Sequence, residues 1–262
     1  MLFSVLISVY QKENPEFLEF SLASVLNQTI LPSEIVLVKD GPLTTNLEDV
    51  IEKYILHHPE LFKIVKLSTN KGLGMALNEG IKSCSYELIA RMDTDDICLP
   101  NRFELQINYF KNHPDVCMVG GSVEEFTSKP KDLLRIRKVP LSFEQIKSFA
   151  SKRNPFNHPS VMFKKSAILQ VGAYEHVLFF VDYFLWLKLI HTGYSVANIP
   201  QTLLHFRIGN DMIGRRHGIS YGNHELNFVK QCYKRGYFTY SQSIFFIATR
   251  FPLRLIPKGL LI

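Results

Sequence analysis

Three carboxylates stand within four residues in Arg91-Met92-Asp93-Thr94-Asp95-Asp96. Acids this close repel one another unless a cation neutralises them. An oxygen-only donor set suits Mg²⁺ or Mn²⁺, which keep part of their water and bind substrate phosphates through one or two carboxylates. The chemistry implied is a divalent ion clamping a diphosphate. Acids also favour the first turn of a helix, and Pro100 soon opens one, so a plain cap cluster is the competing reading.

Two further acids stand apart from this cluster. Asp40-Gly41 closes an apolar run and by itself reads as an ordinary turn. Asp182 opens the segment Asp182-Tyr-Phe-Leu-Trp-Leu, where an N-cap is a common role for Asp. A helix start beside a pocket also holds a carboxylate rigidly enough to serve as a general base.

The scaffold that must position these acids is regular in the first half of the chain. Phe3–Val9 reads as a buried strand. Pro15–Gln28 reads as a helix, with Phe17, Leu18, Leu22, Val25 and Leu26 at helical spacing behind a first-turn proline. Strands at Glu34–Lys39, Lys63–Leu67 and Leu88–Met92 then alternate with helices at Leu47–Leu56 and Gly74–Ser83. Such alternation predicts βαβ units and a parallel sheet with helices on both faces. Ligands of these sheets sit beyond the carboxyl ends of the strands, which is where the acids stand.

After Pro100 the rhythm changes. A helix over Arg102–Asn112 and a strand over Val116–Gly120 are expected, then a hairpin or extended excursion over Val123–Val139. Short helices over Phe143–Ser151 and Lys164–Val171 flank an extended Ser160–Phe163. Asp182–His191 reads as an amphipathic helix with Leu185, Trp186, Leu189 and Ile190 on its apolar side. Val196–Ile199 and Leu203–Arg207 read as two late strands, and Ile219–Arg235 and Gln242–Arg250 as helices. The expectation is an α/β domain over residues 1–214, in two halves near 1–100 and 101–214, with a C-terminal helical extension over 215–262.

The order of these features carries a resemblance. Ser8-Val9-Tyr10, Asp40-Gly41, Asn70-Lys71-Gly72, Asp93-x-Asp95-Asp96 and Asp182-x-x-x-Trp186 follow one another as in the inverting glycosyltransferases of family two, over about residues 3–210. The resemblance implies the GT-A fold, a Rossmann-like mixed sheet with helices on both faces. It implies that Val9, Tyr10, Glu13 and Asp40 hold the nucleotide base and that Asn70, Lys71 and Gly72 lie near the donor. Asp93 and Asp95, with Arg91 nearby, would bind ribose and the metal, Mn²⁺ or Mg²⁺. Asp182 would be the acceptor-activating base, although Val181 stands where the family carries a Glu. Phe206-Arg207 resembles a late Tyr-Arg whose arginine approaches the diphosphate. Asn157-His158-Pro159-Ser160 matches an extended segment on the acceptor side, with a structural role preferred for His158.

Within that family the chain is similar to bacterial enzymes that build O-antigen and capsule repeat units on undecaprenyl diphosphate sugars. A UDP-hexose donor, galactose or glucose, and an acceptor of the GlcNAc-diphosphate-undecaprenol kind are therefore expected. A nucleotidyltransferase would share the carboxylates but not the Asp182 helix. A non-catalytic binding module would not need Asp93, Asp95 and Asp182 together. A dehydrogenase is disfavoured because no GxGxxG follows the first strand.

Composition is compatible with this reading. Of 262 residues, 46% are hydrophobic, enough to build a sizeable core. Cys84, Cys98, Cys117 and Cys232 form no CxxC pair, which fits a reducing compartment. The net charge of +6 comes from the tail, where eight Lys or Arg from Arg215 onward face one acid, Glu225. These cations are interspersed with Phe245, Phe246, Phe251, Leu255 and Leu260, so an anionic membrane surface is expected rather than nucleic acid. Arg250, Arg254 and Lys258 recur every four residues. Pro252 and Pro257 predict a broken amphipathic segment rather than one helix. The first ten residues lack a basic leader and a cleavage site. The expected location is the cytoplasm, peripheral on the cytoplasmic face of the inner membrane.

Overall fold

The computed structural model describes residues 1–208 and 217–256. The first half follows the expected alternation: β1 (Phe3–Val9), α1 (Pro15–Leu26), β2 (Glu34–Lys39), α2 (Thr45–His57), β3 (Phe62–Lys66), α3 (Leu73–Ser83) and β4 (Leu88–Met92). Every residue of β2 and β4 is buried, as continuous apolar runs in a sheet covered on both faces should be. Alternate residues of β1 enter opposite cores. Phe3, Val5, Ile7 and Val9 pack under α1, while Leu6 packs under α3, the period of two that a pleated strand imposes.

The second half adds β5 (Ile97–Cys98), α4 (Arg102–Asn112), β6 (Val116–Phe126), β7 (Arg135–Arg137), α5 (Phe143–Ala150), a 3₁₀ turn (His158–Ser160), β8 (Met162–Lys164), α6 (Lys165–Gln170), α7 (Val181–His191) and β9 (Ser195–Arg207). The strand order is β3-β2-β1-β4-β8-β6-β9-β5, with β7 paired to β6. β1 to β4 are mutually parallel, β8 runs antiparallel between β4 and β6, and β9 runs parallel to β6. This is the mixed sheet that the resemblance implies. The 123–139 excursion is a hairpin of β6 and β7.

Three expectations are corrected. β9 is one strand, not two: its register on β6 jumps from Ile199 to Thr202. A bulge at Pro200-Gln201 absorbs a proline that cannot donate to the ladder. Helix α7 is not amphipathic: Tyr183 to Leu187, Leu189 and Ile190 are all buried. A helix apolar all round must be covered on every side. The cover is the pair α8 (Gly218–Lys234) and α9 (Tyr240–Leu255). Phe228 of α8 stacks on Phe180 at 4.6 Å and meets Tyr183 at 4.8 Å and Phe184 at 4.7 Å; each such pair contributes about 0.5–1.5 kcal/mol beyond its buried area.

The third correction concerns the tail. Helix α9 runs unbroken through Pro252. The ring lies on the exposed side, where water can bond the carbonyl that the proline leaves without a donor. On the inner side Arg250 and Arg254 flank it, both bonded to buried Glu225. Phe246 is 1% exposed and belongs to the core. Phe245 and Leu255 stay exposed, together with Ile244 and Leu253. Arg215, Pro257, Lys258 and Leu260 lie outside the described residues.

Candidate active site

The acidic turn after β4 is braced from α1. Ser21 Oγ donates to the Asp93 carbonyl at 2.8 Å, Ser24 Oγ accepts the Cys98 N–H at 3.0 Å, and Gln28 Nε2 donates to the Leu99 carbonyl at 2.8 Å. Arg102, fully buried, donates to the Arg91 carbonyl at 2.7 Å. These fixings hold Asp93, Asp95 and Asp96 with one oxygen from each inside 4.8 Å. Asp96 is 0% exposed; one oxygen accepts the Arg207 N–H at 2.9 Å and the other has no hydrogen-bond partner among the described residues. Burial, and after it the charges of Asp93 and Asp95, pushes the Asp96 carboxyl well above the ordinary range.

A cleft of about 780 Å³ opens over this turn at the carboxyl ends of β1, β2 and β4. Among the residues expected at the donor, Tyr10, Glu13, Asp40, Asn70, Gly72, Asp93 and Arg207 line it, as does the metal candidate Asp95. Val9 and Lys71 do not. Val9 is buried, and its carbonyl accepts the Asp40 N–H at 2.8 Å. Lys71 takes part through its backbone: the Asp40 carboxylate accepts the N–H groups of Lys71 at 2.7 Å and Gly72 at 3.1 Å. The two turns thus form one unit, with Gly41 at φ +87° so close that a Cβ would lie 2.7 Å from the Asn70 nitrogen. The Arg207 guanidinium lies 3.7 Å from the Phe17 ring centroid and 4.3 Å from that of Phe126, and donates to the Asp95 carbonyl at 3.1 Å. Phe17 appeared in the sequence only as a core residue of its helix.

A second cavity, of about 480 Å³, adjoins the first; Leu73, Asp93 and Phe206 line both. Asp182 and Arg91 open onto this one. Arg91 is 1% exposed and ion-paired with Asp93. Burial opposes its charge, yet Asp93 outweighs that and keeps its pKa above the ordinary value. Asp182 is not the N-cap of α7. Phe180 holds that position with φ +63°, and Asp182 sits in the first turn, its carboxylate accepting the Asn154 side-chain amide at 2.6 Å. Nothing in the sequence around Asn154 signals this partnership. Val181, the departure from the family pattern, fills the seam between helices: a Cβ on Gly74 would lie 2.6 Å from its Cγ1. His158 bonds Tyr174 Oη at 2.9 Å and packs edge-on to Trp186. Burial, and then the Arg91 charge, lowers its pKa well below the ordinary histidine value, which makes it a neutral wall residue.

A mixed sheet with an acid-rich strand end under a nucleotide-sized cleft, and a helix-borne carboxylate across the adjoining cavity, defines a glycosyltransferase of the GT-A type. The profile of Glycosyl transferase family 2 matches residues 4–178. The amylovoran biosynthesis glycosyltransferase AmsE of Erwinia amylovora is 45% identical over 229 residues, 87% of this chain and 85% of that one. The UDP-Gal:alpha-D-GlcNAc-diphosphoundecaprenol beta-1,3-galactosyltransferase of Escherichia coli is 38% identical over 257 residues, 98% of this chain and 92% of that one. The chain belongs to glycosyl transferase family 2. Its fold is shared by the mannosyltransferase PcManGT of Pyrobaculum calidifontis, solved with GDP-Man and Mn²⁺, at a TM-score of 0.70 and 16% identity, covering 97% of this chain and 71% of that one.

Proposed function

We propose that this glycosyltransferase moves a hexose from a UDP-sugar to a GlcNAc-diphosphate lipid by a single displacement that inverts the anomeric carbon, in surface polysaccharide assembly. The observation that carries the reading is the meeting of the two cavities at Asp93, with Asp95 on the first and Asp182 on the second. A sugar at the junction would present one face to the leaving diphosphate and the other to an acceptor hydroxyl. Asp182 takes the hydroxyl's proton, and Asn154 fixes the orientation of its carboxylate. Tyr10, Glu13, Asp40 and Arg207 all line the donor cleft; in this reading the first three hold the base and Arg207 meets the diphosphate. The donor and acceptor in the name of the Escherichia coli galactosyltransferase, UDP-Gal and GlcNAc-diphosphoundecaprenol, support the substrate classes.

The residues present fit a divalent ion. Three carboxylates offer oxygens within 4.8 Å, and a buried Asp96 oxygen has no hydrogen-bond partner among the described residues. Asp93 and Asp95 would hold the ion, Mg²⁺ or Mn²⁺, with Asp96 behind them. Bound there, it supplies charge stabilisation for the departing nucleoside diphosphate.

The test is purified protein with a panel of nucleotide sugars and a short-chain GlcNAc-diphosphate acceptor. Transfer from a UDP-hexose is expected, abolished by chelator and by Asp95→Ala, with folding retained. Full activity in chelator would overturn the metal reading, and transfer of a nucleotidyl group would overturn the reaction.

A lipid-linked acceptor would be met at the cytoplasmic face of the inner membrane, which is the location we propose. No helix among the described residues is long and apolar enough to cross a bilayer. Ile244, Phe245, Leu253 and Leu255 form the exposed apolar part of α9 that a membrane surface would receive. Wild type should pellet with anionic vesicles, and Ile244→Ser with Phe245→Ser should cut the pelleted fraction several-fold. Equal pelleting of both proteins rules this face out.

A further inference from the structure

The second cavity has more cationic side chains than the proposed reaction uses. Arg91, Arg137, Arg153 and Arg250 line it, against Asp93 and Asp182. Arg91 is committed to Asp93. The other three come from three separate elements: β7, the loop after α5, and α9.

Among the described residues the cations here outnumber the acids. Arg137 shares the single carboxylate of Glu125 with Arg135. Arg250 shares the single carboxylate of Glu225 with Arg254. Each cluster sets two guanidinium groups on one acid, which fixes the side chains in place. Arg153 is exposed and has no ion pair among the described residues. Next to these cations the wall turns apolar at Leu178, Phe179 and Tyr221, with Leu178 73% exposed. A fixed surplus of guanidinium groups is the recognition element for a phosphate group, and an apolar border suits the hydrocarbon that follows it.

We propose that Arg137, Arg153 and Arg250 bind the diphosphate of the lipid-linked acceptor, so that the enzyme recognises its acceptor by the anionic linkage as well as by the sugar. This rests on the lipid-diphosphate reading given above and deepens it. The diphosphate anchors the acceptor at the cavity wall while its sugar reaches Asp182. No bond to phosphorus forms or breaks.

The experiment compares two soluble acceptors with the same sugar and the same short alkyl chain, one joined through a diphosphate and one through a plain glycosidic oxygen. Neither needs a membrane, which separates binding of the acceptor's own phosphates from attraction to anionic lipid. Wild type should prefer the diphosphate acceptor in kcat/KM. Charge-assisted contacts of this kind correspond to about tenfold to a hundredfold each, so Arg153→Glu should lower that preference by about this factor, through the KM for the diphosphate acceptor and not the KM for the nucleotide sugar. Arg250→Lys, which keeps a cation for Glu225, should lower it by a smaller factor. A wild type that uses both acceptors equally, or an Arg153→Glu protein that keeps the full preference, overturns the inference and leaves the glycosyltransferase reading standing. A wild type that uses neither acceptor, while still hydrolysing its nucleotide sugar, overturns the lipid-diphosphate reading, and this inference with it.

Discussion

The donor cleft is lined by Glu13, Asp40, Asp93 and Asp95 against Lys12 and Arg207, whereas the adjoining cavity is lined by four arginines against Asp93 and Asp182. In the proposed reaction both receive a diphosphate. In the first, acids outnumber cations, so in the proposed reaction a diphosphate enters with an added cation. In the second, guanidinium groups are already in surplus. The contrast suits the two roles. The donor's diphosphate must leave, and a divalent ion can stabilise its growing charge. The acceptor's diphosphate must only be held in place, and fixed side chains suffice. Asp93, shared by both cavities and paired with Arg91, marks the line between them.

The comparison breaks most sharply at Asp182. Asp182→Asn should lower kcat by roughly 10²–10⁴ and leave UDP binding, read by calorimetry, close to wild type. Phe180 occupies the capping position, so the loss does not come from a broken helix cap, and the amide oxygen of the variant can still accept from Asn154. Near-normal turnover would move the base elsewhere.

The seam between the halves is the next test. Gly74 lets the start of α3 approach Val181, and an added methyl would also lie 3.2 Å from the Glu175 carbonyl. Gly74→Ala should destabilise the fold by about 1–3 kcal/mol through overpacking, seen as a lower Tm. It should also reduce kcat more than it changes the KM for the donor, since α7 carries the proposed base. If stability and turnover are unchanged, the two helix starts are not tightly coupled.

The smallest effect concerns His158. Its folded pKa lies below its unfolded value near 6.5, so the unfolded chain binds the extra proton first. The contribution is fully present above about pH 6.5 and is lost as pH falls from there toward the folded pKa. Thermal melts from pH 7.5 to 5 should show falling stability, and His158→Gln should flatten that slope. An unchanged slope would mean that other groups set the pH response.

The first half of the fold was legible because its signals are local. β1, β2 and β4 fall where apolar runs and turn residues place them. Asp93, Asp95 and Asp96 announce themselves by spacing, and Asp182 by its place before Trp186. Less could be read where the deciding contact is distant. β5 is two residues long and exists because β9 pairs with it. Residues after Gly120 continue β6 because β9 runs beside them to Phe126. Asn154 gains its meaning only from Asp182, 28 residues on.

The sequence by itself determined the βαβ rhythm, the acidic strand end and the order of features that marks the family, since each depends on neighbours along the chain. The tertiary structure decided which cavity each charge serves. It turned Arg91 from the donor cleft toward the second cavity and set Arg250 and Arg254 on Glu225 across two helices. A cation's role follows from the acids that surround it, and those acids are brought to it by chain segments that no local pattern joins.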